Sequence, residues 1–317
     1  MNTSSILKTY SSLVIFSTIL AVSSCGGSGG GGSSGAGTGT LSLQITDGPV
    51  ETADNVLIQF SGLEIQAADG KRTTLYYCQD PADATKTVLS DTACTTPPAT
   101  KQLDLLALSG GQTDFLLDSF TLPSGHYSWI RLMVDTADPL DSYIVVSGTP
   151  HELTIPSGMQ TGMKLNRGFD VPAGGSADFT IDFDLRKSVH MTGTGDYMLR
   201  PTLRMVDNIM AGSISGTVDA LLVPGGCTPA VYVFEGSGVT PDDIDGIAAD
   251  PVSTASVKLD ISDGIYKYKA AFLEAGSYSI AYICDAAADD PTVDNALTFS
   301  GTTTVSVTAK TNTVLNF

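Results

Sequence analysis

Apolar and polar side chains alternate with period two along almost the whole chain after residue 40. Leu41, Leu43 and Ile45 alternate with Ser42, Gln44 and Thr46, and Phe179, Ile181, Phe183 and Leu185 with Thr180, Asp182, Asp184 and Arg186. Farther on, Tyr266, Tyr268 and Phe272 mark one face opposite Lys267 and Lys269, and Val305 and Val307 open a final strand pair ending near Phe317. Such alternation predicts half-buried strands of antiparallel sheets, broken by Gly, Pro, Asp and Ser turns. One short helical turn is predicted around Leu103 to Leu108 (LDLLAL). The fold class is all-β.

A boundary near Asp207 to Gly212 divides the β-rich sequence into residues 41–208 and a smaller block, 209–317, each of a size suited to a sandwich. The two blocks echo each other. Leu122-Pro-Ser-Gly125-His-Tyr127 precedes the strand SWIRLMV, and Leu273-Glu-Ala-Gly276-Ser-Tyr278 precedes SIAYI. Glycine admits the positive φ of a turn, and a tyrosine two residues later can bury its ring while its hydroxyl meets backbone or solvent. This turn-and-strand signature resembles prealbumin-like and carboxypeptidase-regulatory-like sandwiches, implying two antiparallel β-sandwich domains of prealbumin-like or Ig-like type. For Gly125, Tyr127, Gly276 and Tyr278 the reading is structural.

In the first block, ordered motifs carry a closer resemblance. They are Gly39-Thr-Leu41, Thr46-Asp47-Gly48-Pro49, Val56 to Ile65 (VLIQFSGLEI), Leu103 to Leu108, Leu122-Pro-Ser-Gly, Leu165-Asn-Arg-Gly-Phe-Asp170, Ile181-Asp-Phe-Asp184 and Leu199-Arg-Pro201. Together they resemble the bacterial domain-of-unknown-function family 4382 over about residues 39–208. Gly48 stands where the family turn more often has Ala, and a Cys-bounded loop is inserted at 78–94. The resemblance implies a sandwich fold and an address in the cell envelope, and it brings no catalytic residue with it.

The N-terminus supplies an address of its own. After Lys8, Leu13 to Val22 is an apolar run of ten residues. It is too short to cross a bilayer core of ~30 Å and suits a secretory signal. The run leads into Val22-Ser-Ser-Cys25, which resembles the bacterial lipobox, so residues 1–24 are expected to be a signal peptide and Cys25 the lipidated first residue of the mature chain. An ordinary secretory signal with an incidental cysteine is the alternative. Acyl chains at ~0.8 kcal/mol per buried methylene would anchor the protein in a membrane, and Gly26 rather than Asp after the cysteine implies the outer membrane. With Cys25, residues 26–40 (GGSGGGGSSGAGTGT) complete a tether over 25–40; as a coil, its fifteen residues reach about 20 Å. Gly27, Gly29 and Gly32 fit G-x-G-x-x-G, but no strand precedes them and no helix follows, which rejects a dinucleotide site.

Charge and cysteines narrow the classes. Sixteen Lys and Arg face 34 Asp and Glu, a net charge of −18, which argues against nucleic acid as a partner and suits cations or basic ligands. Beyond Cys25 there are two cysteines in each block, Cys78 and Cys94, then Cys227 and Cys284. Four allow three pairings, and the domain-local one is simplest in an exported protein. The two bridges would contribute roughly 3 and 4 kcal/mol through loop closure. The competing reading, paired zinc ligands, has no C-x-x-C and no nearby histidine behind it.

Alternation places Asp182 and Asp184 together on the face opposite Phe183, flanked by Arg186 and Lys187. A metal-dependent envelope hydrolase could use such a face; cross-strand pairing with Arg186, Arg200 or Arg204 is the structural account. Asp47 fits a turn cap. Asp243, Asp245 and Gly246 mimic part of an EF-hand loop, but Pro241 and Val252 at its ends reject it. Looser calcium sites are expected from Asp242, Asp243, Asp245 and Asp250, or from Asp285, Asp289, Asp290 and Asp294, against the reading of both as solvated acidic loops. Ca2+ is the sole candidate cofactor. His126, His151 and His190 are isolated, and no G-x-S-x-G elbow accompanies them. Tyr127 and Trp129 share an alternation face suited to core packing, while Tyr76, Tyr77 and Tyr143 are candidate ligand platforms. The expectation is a non-catalytic, lipid-anchored outer-membrane protein with a binding, adhesive or structural role. Its partners would be the membrane and an envelope protein or glycan.

Overall fold

In a computed structural model of the chain, residues 37–48, 52–156, 162–247 and 249–317 are described; Cys25 and the tether before residue 37 lie outside them. The alternating segments form strands as their patterns predict. The strand Thr38–Gly48 buries Leu41, Leu43 and Ile45 completely. It lies at the centre of a four-stranded sheet between Ser176–Asp184 and Asp114–Pro123, with Leu203–Asp207 at the edge. Facing it is a larger sheet built around Asn55–Ala67, whose main partner is Gly125–Val134. The inward side chains of the two sheets, from Leu41 and Phe60 to Phe183 and Met205, make one core.

The second sandwich repeats the scheme on a smaller scale. One sheet orders Lys258–Asp260, Ile265–Glu274, Ala211–Val218 and Asn312–Val314; the other orders Ser253–Ser256, Ala230–Glu235, Gly276–Ile283 and Phe299–Val307. Ile214, Tyr268 and Leu273 from the first meet Val231, Val233 and Ile280 from the second. The strand Ala230–Glu235 is buried on its other face as well, where Tyr232 and Phe234 lie under Ile244 and Ala286. Both sandwiches belong to one compact unit, Ala36–Phe317.

The echoed hairpins are built alike. Tyr127 donates its hydroxyl to the Pro123 carbonyl at 2.7 Å, and Tyr278 donates to the Glu274 carbonyl at 2.7 Å, each reaching back four residues from a buried ring. The glycines between them differ. Gly125 has φ +147°, whereas Gly276 does not enter the positive-φ region, so only the first turn needs a glycine for its backbone.

Five features differ from the sequence reading. Thr38–Gly48 pairs in parallel with Ser176–Asp184, and Asn312–Val314 in parallel with Ala211–Val218 rather than closing a hairpin on Phe299–Val307. Leu103 and Asp104 end the strand Lys101–Asp104. The predicted turn starts only at Leu105, as a 3₁₀ segment that Asp104 caps by accepting the Leu106 N–H at 3.2 Å. A bulge between Tyr127 and Trp129 turns Trp129 away from the core and onto the outer sheet face. A second bulge, with Phe272 at φ +54°, exchanges Phe272 for Leu273 as the inward residue.

Candidate functional site

The groove beside Tyr76 grows out of the inserted loop. Cys78 and Cys94 are disulfide-bonded, and the chain after Cys94 returns alongside the strand Arg72–Gln79. There Gln79 N–H donates to Pro97 at 3.1 Å and Ala99 N–H to Tyr77 at 3.0 Å. Between loop and sheet lies a groove of about 670 Å³ lined by Ser61, Tyr76, Tyr77, Cys94, Thr100 and Asp135. Tyr76 is 42% exposed and lines the groove. Tyr77 forms a buried wall: its hydroxyl donates to Leu116 at 2.9 Å, and burial, with the charge of Asp114, pushes it well above the usual phenol range. A concavity of this size with a mostly apolar lining and a few polar groups is the usual form of a ligand site. Tyr143 is half-buried in the hairpin Tyr143–Val146 and Thr149–Thr154 and is not among the residues lining the groove.

Asp182 and Asp184 do share a face, and both are engaged. Asp182 pairs with Arg204 at 2.5 Å across the strand pair, one of the partners the pattern offered. Asp184 caps the turn Leu185–Ser188, accepting the Lys187 N–H at 3.1 Å. Burial pushes its carboxyl up, and Lys187 at 3.8 Å partly offsets that. Asp47, at the end of the neighbouring strand, is 5% exposed. Neither of its carboxylate oxygens accepts a well-formed hydrogen bond, although the nearby Leu185 N–H favours the charged form. Burial first, then the charges of Asp182 and Asp184, hold Asp47 well above the ordinary carboxylate range.

Arg186 also reaches beyond these carboxylates. It is 3% exposed and crosses into the second sandwich, donating to the Tyr232 hydroxyl at 3.0 Å and the Ala286 carbonyl at 2.8 Å. Tyr232 in turn donates to Asp289 at 2.5 Å. Nothing in the local alternation points at this joint, because it links residues 46 and 57 positions apart. A weaker signal lay in the unbroken apolar run AVYVF, which reads as a strand buried on both faces.

The acidic loops divide. Asp289 is spent on Tyr232 and on the Ile244 N–H, Asp250 accepts the Asp245 and Gly246 N–H groups, and Asp290 caps Thr292. Asp242 accepts the Asp243 N–H, and Asp285 is exposed beside the turn Ala286–Ala288 without capping it. Asp243, Asp245 and Asp294 come together, two from the first expected set and one from the second. The cysteines of the second sandwich, Cys227 and Cys284, are disulfide-bonded.

Two cationic features stand out on so acidic a chain. On the outer face of the larger sheet, Arg72, Arg131 and Lys164 lie 5.5, 5.1 and 4.6 Å from the centre of the Trp129 ring, which explains how an outward tryptophan is only 7% exposed. A cleft of about 510 Å³ between the sandwiches collects Lys258, Lys267 and Lys269, of which Lys267 is paired with Asp260 and Asp263. No helix among the described residues is long and apolar enough to cross a membrane, which says nothing of strands.

Among solved structures, the chain is similar to the TIE protein of Bacillus anthracis (9% identity, 89% of this chain and 34% of that one, TM-score 0.19). It is similar also to a leucine-rich repeat protein of Bacteroides thetaiotaomicron (10%, 88% and 26%, TM-score 0.21) and to a minor pilin of Streptococcus agalactiae (12%, 87% and 94%, TM-score 0.19). The chain thus spans about a third and a quarter of the length of the first two. At such TM-scores none of these likenesses bears on function. No curated protein matches the sequence. A family described as "Domain of unknown function (DUF4382)" matches residues 38–201, more than half of the chain and nearly all of the first sandwich. By that match, the chain belongs to the DUF4382 family.

Proposed function

We propose that this protein is a non-catalytic binding module of the bacterial outer membrane, anchored by lipid on Cys25, that holds a neutral glycan in the groove beside Tyr76. The observation that carries the reading is the groove itself. An exposed tyrosine ring offers a stacking face, Asp135, Ser61 and Thr100 offer polar partners, and the Cys78–Cys94 bridge fixes the wall opposite. Stacking a sugar on an aromatic face uses dispersion and apolar burial without a charge, which fits a net charge of −18 that repels anionic polymers. The engagement of Asp182 by Arg204 and of Asp184 by its turn supports a structural account of the carboxylates that otherwise suggest a hydrolase.

The test is a neutral-oligosaccharide array probed with the full chain and with Tyr76→Ala. Binding that falls at least tenfold in the variant, at unchanged melting temperature, is the expected result. Binding indifferent to Tyr76→Ala, or no bound glycan at all, overturns the groove assignment. Hydrolysis of an arrayed glycan that disappears in Asp182→Asn or Asp184→Asn overturns the non-catalytic one.

A further inference from the structure

Two loops of the second sandwich fold back over the outer face of the sheet that carries Tyr232 and Phe234. One follows the strand Ala230–Glu235 and carries Asp243 and Asp245; the other precedes the strand Phe299–Val307 and carries Asp294. One carboxylate oxygen from each of the three lies within 4.8 Å of the other two. None of the three is ion-paired with a cation among the described residues.

Asp243 is what separates this trio from an ordinary acidic loop. It is 1% exposed, so its carboxylate has lost nearly all contact with water. One oxygen accepts the Asn295 N–H, and the other, Oδ1, is buried without a hydrogen-bond partner. Asp245 and Asp294 bring like-charged carboxylate oxygens within 4.8 Å of it. A buried carboxylate oxygen left unpartnered costs about 1–3 kcal/mol or more, and like charges beside it add to the cost. Few features of a fold relieve both at once. A multivalent cation does.

We propose that Asp243, Asp245 and Asp294 bind a calcium ion that clamps the two loops together. The donor set is all hard carboxylate oxygen with no His or Cys, and it stands on irregular loops. Calcium accepts six to eight such oxygens in variable geometry, with water or backbone carbonyls completing the shell, whereas magnesium requires a near-ideal octahedron. Bound calcium would hold the loops down over the cluster of Tyr232, Phe234, Ile244 and Phe299. The site is in the second sandwich and is independent of the glycan reading, which concerns the first.

The test uses the purified full chain stripped with EDTA, with calorimetric titration of calcium and thermal melting beside it. Three carboxylates predict one site per chain with a dissociation constant on the order of 0.1–1 mM. Saturation at about 10 mM calcium should raise the melting temperature by at least about 3 °C. Asp245→Asn and Asp294→Asn should each weaken binding at least tenfold, and Asp294→Asn, which removes an exposed charge from the trio, should raise the melting temperature of the metal-free protein. Asp285→Asn, in the same connection as Asp294 but outside the trio, should leave binding unchanged. The proposal is overturned by no binding at about 10 mM calcium, by unchanged affinity in the Asp245→Asn/Asp294→Asn double variant, or by an equal effect of magnesium.

Discussion

Replacing Tyr232 with phenylalanine tests whether the joint between the sandwiches holds them energetically. Tyr232 is completely buried, and the change removes one oxygen and leaves the ring, so no cavity of consequence opens. The loss includes two hydrogen bonds to charged groups, one given to Asp289 at 2.5 Å and one received from Arg186 at 3.0 Å. Bonds of that kind are worth about 1.5–3 kcal/mol each when a partner is orphaned. Neither partner is orphaned here, because Asp289 keeps the Ile244 N–H at 3.1 Å and Arg186 keeps the Ala286 carbonyl at 2.8 Å. The guanidinium also stays over the ring, 5.2 Å from its centre. The expected cost is therefore about 2–3 kcal/mol, below the sum of two full bonds. At an m-value of about 3 kcal/mol per molar urea, the midpoint should fall by about 0.7–1 M.

The sole tryptophan makes the assay specific. Trp129 belongs to the first sandwich, so its fluorescence follows that lobe, while far-UV circular dichroism follows both. If the Arg186–Tyr232–Asp289 chain couples the lobes, the two signals coincide in the wild type and move down together in Tyr232→Phe. A tryptophan transition that stays in place while the dichroism transition splits would refute the coupling. A common shift below about 0.2 M would refute the magnitude.

Other outcomes follow from single residues. Asp47 titrates above the ordinary range in the folded protein, so the fold takes up a proton there and its stability falls as pH rises from about 4 through the raised value. Asp47→Asn, which cannot ionise, should be near-neutral at pH about 4 and stabilising at pH about 8; denaturation midpoints at both pH values check the sign, and a less stable variant at the higher pH contradicts it. Tyr127→Phe and Tyr278→Phe each remove a hydroxyl donor from a backbone carbonyl and should cost about 1–2 kcal/mol, adding within error in the double variant because they lie in different sandwiches. At Gly216 a Cβ would stand 1.6 Å from the Leu315 carbonyl oxygen; Gly216→Ala should displace the last strand at a cost of about 3 kcal/mol, seen as a lower melting temperature and faster carboxypeptidase trimming. Cys25→Ser should move the protein from the membrane to the soluble fraction, and a variant that still sediments with membranes removes the anchor.

What the sequence disclosed was what alternation and spacing encode. Leu41, Leu43 and Ile45 are buried as their pattern requires, and the two tyrosine hairpins formed where the echoed motifs stood. Domain-local cysteines became domain-local bridges. Bulges hid the rest, because one extra residue reverses the face of everything beyond it. Trp129 went outward and Leu273 inward for that reason. Parallel pairing was equally invisible, since period-two alternation is the same whichever way the neighbour runs. The Asp243, Asp245 and Asp294 cluster joins loops about fifty residues apart, and each loop alone reads as a solvated acidic turn.

The segment from Asp182 to Lys187 shows why carboxylate pairs are a poor guide to chemistry without their partners. Its sequence presents two acids and two bases at close spacing, which is how a catalytic face begins. In the fold each group has a different correspondent. Asp182 fixes Arg204 within the sheet and Asp184 closes the turn. Arg186 enters the core of the second sandwich, and Lys187 reaches the Pro251 carbonyl at 2.5 Å. The strand Ser176–Asp184 ends where the second sandwich begins to pack, so Arg186 and Lys187 make the joint between the lobes while Asp182 and Asp184 stay in the first. A catalytic carboxylate must be free to meet a substrate, and Asp182, 8% exposed with its charge already matched, is not presented that way. The joint therefore favours structure over turnover on this face. It leaves the concave surface beside Tyr76, where the stapled loop provides a wall and an open ring, as the better place to look for a ligand.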